Sequence, residues 1–262
     1  MREIRITQGN EFTIYKSEKN SLSEELFSKQ YENAAECVLD LMKNFLENSG
    51  NVRKGGRMDA WECPNNIIGF CGERGQGKSS AMYNFTKKNF DERAWVLRTI
   101  DPTALEATHD IIDIVVSRLL EQLFYDREED GRLNERQEGE ILNLFADVHK
   151  DMSVLKNQNR FLEQEYDYSG SMMKLQEIKK SLELKDNLIK LINKLLLVRE
   201  KEFLVIPLDD LDLNIQSVYK IMEQIRKYLV LPHVIIVMAL HVGQLQLCLE
   251  REFAGELDAL RD

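Results

Sequence analysis

Three short runs in this chain carry apolar side chains at nearly every position: "NIIGFC" at 66–71, "FLVIPL" within 203–210 and "HVIIVMAL" at 233–240. A strand with one wet face alternates polar and apolar residues, so a strand that is apolar throughout must be covered on both sides. That condition belongs to a parallel sheet with helices packed on each face. The chain between the runs agrees. Helical periodicity falls at about 78–89, 105–125, 173–200 and 214–229, a further strand pattern, "AWVLRTI", lies at 94–100, and a last helix begins near 243. The expected fold class is α/β, with the parallel sheet covered by helices on both faces.

Two segments fall outside this alternation. Residues 1–60 read as a small appendage: a hairpin at 3–16, "EIRITQGNEFTIYK", turning at Gly-Asn, then an amphipathic helix at about 23–48. The Gly-rich "NSGNVRKGGRMD" leads from it into the main unit, residues 61–262. The stretch from the "DPT" turn to residue 203 exceeds what a minimal crossover needs, which marks about 126–172 as a helical insertion and a surface for a protein partner. Its charged start, 126–140, reads as a solvated helix face or loop, and "YDYSGS" as a break before the helix at 173–200.

Composition narrows the functions. The formal net charge of −10 argues against a broad surface for nucleic acid or acidic membrane. No apolar run approaches the ~20 residues of a membrane span, and the start lacks the apolar core of a signal peptide. Cys37, Cys63, Cys71 and Cys248 show no metal-binding spacing. They read as reduced, mostly buried thiols of a cytoplasmic protein.

The chemistry is concentrated in "GERGQGKSS", residues 72–80, between the first apolar run and a helix. Its spacing, Gly72-x-x-x-x-Gly77-Lys78-Ser79, is that of a phosphate-binding loop in the strand–loop–helix context such a loop requires. Gly72, Gly75 and Gly77 allow backbone angles closed to other residues and let the chain approach a ligand. The loop N–H groups converge on an anion, and the next helix aims its positive end at the same point. Lys78 would reach the β- and γ-phosphates and Ser79 would ligate Mg²⁺. Glu73, Arg74, Gln76 and Ser80 complete the stretch, with Arg74 directed to solvent and Ser80 bracing the loop from behind.

A second signature is "FLVIPLDDLDLN". It places Asp209 and Asp210 at the C-terminal edge of a buried strand, where ligands bind in open parallel sheets. If that strand lies beside the one at 66–71, Asp209 can hold the Mg²⁺ water shell and Asp210 can polarise the attacking water. A plainer role is also open to these acids, capping the helix that follows.

Together the two motifs resemble a P-loop NTPase of the additional-strand class, which includes the AAA+ ATPases, and "DDLD" is similar to the STAND and KAP ATPases. The chain departs from the KAP pattern at Leu213 and Asn214, where an arginine is common. The resemblance implies ATP and Mg²⁺ as ligands and a homo-oligomer with nucleotide at subunit boundaries. It implies a polar sensor residue after the run at 233–240, which is His241, and a trans-acting arginine further on, Arg251 or Arg261. A role in bacterial antiviral defence is part of the same analogy. No N-K-x-D guanine-reading motif follows the second signature, which favours ATP over GTP. The chain ends before the fifth strand and C-terminal lid expected of this class, so it reads as the N-terminal portion of a longer protein. The competing readings are an ATP-binding scaffold without hydrolysis and a small-molecule phosphotransferase.

Overall fold

The computed structural model describes residues 27–52, 65–90, 92–102, 110–130, 134–158, 168–211 and 218–259. The hairpin expected at 3–16 lies outside them. Four strands, β1 (Ile67–Cys71), β2 (Ala94–Val96), β3 (Phe203–Leu208) and β4 (Val234–Leu240), form one sheet in the order β1-β4-β3-β2, with every pair parallel. The helices are α1 (Ser28–Val52), α2 (Lys78–Lys88), α3 (Ile111–Asp130), α4 (Glu135–Gln158), α5 (Tyr168–Val198), α6 (Val218–Gln224) and α7 (Val242–Ala259). A turn of π-helix, Ile225–Leu229, continues α6. Among the described residues, no helix is long and apolar enough to cross a membrane.

The central strands β3 and β4 are buried at every position, and their alternation divides the core in two. Phe203, Val205, Ile235, Val237 and Ala239 face α1 and α2. Leu204, Ile206, Leu208, Ile236 and Met238 face the layer that includes α3, α4, α5 and α6. Successive side chains of a strand point to opposite faces, so continuous apolar runs supply both layers at once. The expected parallel sheet with helices on each face is therefore present.

Helix α1 buries Tyr31, Ala34, Val38, Leu41, Met42 and Phe45, a stripe at three- and four-residue spacing, against β1, α2 and the central strands. Phe45 is 1% exposed. Burying a side chain of that kind contributes about 1.5–3 kcal/mol, so α1 is part of the sheet's own core. Helices α4 and α5 run antiparallel, with Lys194 bonded to Glu140 and Asn187 Nδ2 donating to the buried Asp151 at 2.8 Å. Their inner faces, Ile141, Phe145, Val148, Leu184, Leu188 and Leu191, join the same core as α3 and β3.

Several boundaries differ from those read in the sequence. "YDYSGS" does not break the chain ahead of α5, because the helix already begins at Tyr168 and runs through Gly170. A single glycine costs a helix about 1 kcal/mol, which a long packed helix outweighs. Cys37 and Cys71 are exposed and Cys248 is buried, so the described thiols are not mostly buried. Strand β2 ends its regular pairing at Val96 and touches β3 again only at Ile100. Pro207 accounts for this. The carbonyls of Val205 and Pro207 accept from Leu97 and Ile100 N–H, both at 2.9 Å, so β3 advances two residues while β2 advances three. Proline has no N–H to give on that side, and the extra β2 residue forms a bulge opposite it. The ladder then closes with Asp209 N–H donating to Ile100 O at 2.9 Å, which holds the start of the acidic pair.

Candidate functional site

Because all four strands run the same way, Cys71, Leu208 and Leu240 end at one edge of the sheet. The segments that follow them, Gly72–Gly77, Asp209–Asp210 and His241, meet there. The adjacency on which the role of Asp209 is conditioned is not met directly: β3 does not lie beside β1, because β4 stands between them. The ends of β1 and β3 are thus two strand spacings apart, about 9.5 Å. Helix α2 bridges the gap, since it crosses over β1, β4 and β3. From its first turn, Ser79 Oγ donates to Asp209 Oδ1 at 2.9 Å. The same carboxylate oxygen accepts the Asp210 N–H at 3.0 Å.

Within the loop, Gly75 and Gly77 both have φ of +81°. Such angles strain any residue with a Cβ. A Cβ at Gly75 would meet nothing within 4 Å, whereas one at Gly77 would lie 3.1 Å from Phe27 Cζ. Gly72 is different. It lacks a positive φ, and a Cβ there would approach the Gln76 Oε1 at the end of a flexible side chain. The expectation of unusual angles therefore holds at two of the three glycines.

The loop is braced by its own groups. Glu73 N–H donates to Gln76 Oε1 at 2.8 Å, and Lys78 Nζ donates to Glu73 O at 3.2 Å. Ala81 N–H donates to Gly77 O at 2.8 Å, which opens α2 with Gly77 at its N-cap. Gly77 has no side chain to cap with, and among the described contacts no side-chain hydrogen bond closes this helix end. N–H groups at an uncapped helix start are donors for an anion. Arg74 is exposed, as expected.

His241 comes to the loop from the end of β4. Its Nδ1 accepts the Gln244 N–H at 2.9 Å, so it caps the start of α7. A nitrogen that accepts carries no proton, which places the ring proton on Nε2. Nε2 lies 2.6 Å from Glu73 Oε2 and donates to it. The Glu73 side chain is 74% exposed and the His241 side chain 21%. Sequence reasoning included both residues without pairing them, because the pairing depends on β4 adjoining β1.

Asp210 has φ of +51°. Asp tolerates this region better than most residues, yet it carries strain of the kind found at functional sites. Arg251 is exposed on α7, and among the described contacts none joins it to the loop. Arg261 lies outside the described residues.

Ser79 Oγ and Asp209 Oδ1 are hard oxygen donors, the kind Mg²⁺ takes. Their 2.9 Å separation is that of an ordinary hydrogen bond. By donor type the pair suits the cation expected from the sequence, with Ser79 as a direct ligand and Asp209 holding its water shell. No protein family matches the chain, and no curated protein matches it in sequence.

Proposed function

We propose that the chain binds ATP with Mg²⁺ at the loop Gly72–Ser80 and hydrolyses it, with nucleotide state coupled to homo-oligomeric assembly. The observation that carries this reading is the Ser79–Asp209 hydrogen bond, which joins the two sequence signatures across an intervening strand. Strand β4 between β1 and β3 also accords with the additional-strand class that the motifs resemble.

In this reading the loop N–H groups and the start of α2 receive the phosphates. Lys78 exchanges its bond to Glu73 O for β- and γ-phosphate oxygens. Ser79 would ligate Mg²⁺ and Asp209 would hold its water shell, and the cation would supply charge neutralisation at the phosphates. Asp210 orients the attacking water, and His241 offers its Nε2–H to the terminal phosphate. Arg251 supplies charge to a neighbouring subunit's site.

Lys78→Ala tests the reading directly. It removes the cation that faces the β- and γ-phosphates, and ATP affinity should fall by about 1.5–3 kcal/mol, the range for hydrogen bonds to charged groups. Titration calorimetry on the folded variant measures it. Unchanged affinity would end the phosphate-loop assignment.

A further inference from the structure

Strand β1 pairs with β4 on one side only and forms an edge of the described sheet. Beside its other edge, under a flank of α1, runs a groove of about 1020 Å³ that reaches the phosphate loop at Gln76 and Lys78. Small-molecule sites are mostly apolar clefts of this order with a few placed polar groups. Among the described residues that line it, Lys78 is the one cation, and it stands at the loop end. The walls are otherwise neutral and largely apolar, apart from Asp40 farther along. This distribution matches a ligand that is anionic at one end and a neutral ring system at the other.

Phe27 marks where the two ends meet. Its ring lies against Gly77, lines the groove, and sits 6.4 Å from the Tyr31 ring. Its backbone has φ of +73°, an outlier for a bulky residue. Such outliers persist where their surroundings hold them, and they cluster at ligand clamps. Here the Tyr31 N–H donates to Phe27 O at 3.0 Å, and the ring packing fixes the side chain. These contacts hold an aromatic ring beside the loop in spite of the strain. Gln30 and Asn33 follow on the same flank of α1, and both are exposed. An amide both donates and accepts, as the edge of a nucleobase requires.

We infer that this end of the α1–β1 groove is the subsite for the base and sugar of a nucleoside triphosphate, with Phe27 as the residue that stacks on the base. The inference rests on the phosphate-loop reading and adds a site to it. It gives α1 a direct part in ligand binding as well as in the core.

The test compares ATP with inorganic tripolyphosphate, both with Mg²⁺, by calorimetry on the whole chain. The wild type should bind ATP at least tenfold more tightly. Phe27→Leu keeps apolar bulk against Tyr31 but removes the ring. It should lower ATP affinity about 5- to 150-fold, the range of aromatic–base stacking, and leave tripolyphosphate affinity unchanged. Phe27→Trp should retain tight ATP binding. Equal affinity of the wild type for the two ligands would overturn the subsite while leaving the loop standing. So would an equal loss for both ligands in Phe27→Leu, which would make Phe27 a prop for the loop. Binding of neither ligand by the wild type would overturn the phosphate-loop reading and the subsite with it.

Discussion

Gly75 and Gly77 share a φ of +81° but not their surroundings, and alanine at each separates two costs. Holding a residue with a Cβ in the left-handed region costs about 1–2 kcal/mol. Alanine also restricts the unfolded chain, which offsets about 0.4–1 kcal/mol of that. Gly75→Ala, whose Cβ meets nothing within 4 Å, should therefore destabilise by about 0.5–1 kcal/mol. Gly77→Ala bears the same strain and also presses its Cβ to 3.1 Å from Phe27 Cζ. The ring cannot yield freely, because Phe27 is itself held at φ of +73° and packed beside Tyr31. Overpacking adds at least about 1 kcal/mol. Gly77→Ala should thus lose about 2 kcal/mol. Both values are read from urea unfolding monitored by circular dichroism. In a Phe27→Leu background the excess at Gly77 should shrink toward the Gly75 value, because the contact is gone. Equal losses at the two glycines, or an excess that survives Phe27→Leu, would refute the reasoning.

Asp210→Asn should keep ATP binding and lose turnover, since it preserves shape and removes the base; full turnover in a phosphate-release assay would shift suspicion to Glu73. Glu73→Ala frees the His241 Nε2–H and removes a carboxylate from the loop, and should tighten ATP binding about 2- to 5-fold, modest because Glu73 is mostly exposed. In a His241→Ala background that gain should shrink, and an undiminished gain would uncouple the two residues. Burial holds the His233 imidazole below its ordinary value of 6.5, outweighing the raising effects of its bond to Glu202 O and of the Glu202 charge. The unfolded ring therefore takes up a proton at a higher pH than the folded one. Its contribution to stability is full above about pH 6.5 and is lost as pH falls through the folded value. His233→Asn, which also tolerates the local φ of +61°, should flatten the fall in melting temperature between about pH 7 and 5; an unchanged slope would place the titration elsewhere.

What the sequence determined by itself was local. The apolar runs at 203–208 and 234–240 are covered on both faces wherever they pack, so a parallel sheet between helix layers followed from them alone. The glycine spacing at 72–77 and the acids after "FLVIPL" likewise named their residues without reference to the rest of the chain. Hydrophobic period also located α1, although it did not say that α1 closes over β1 and α2 as part of the core. Strand order was beyond its reach, because β3 and β4 are equally apolar and either could have lain beside β1. Tertiary packing decided that β4 does and where α1 docks, and three features follow from those two choices. Ser79 reaches Asp209 only because α2 crosses the intervening strand. His241 meets Glu73 only because β4 ends next to β1. Phe27 lies on Gly77 only because α1 docks on the β1 side of the sheet. A short polar or strained residue leaves no periodic mark in a sequence, and its partner is set by which apolar faces are buried together.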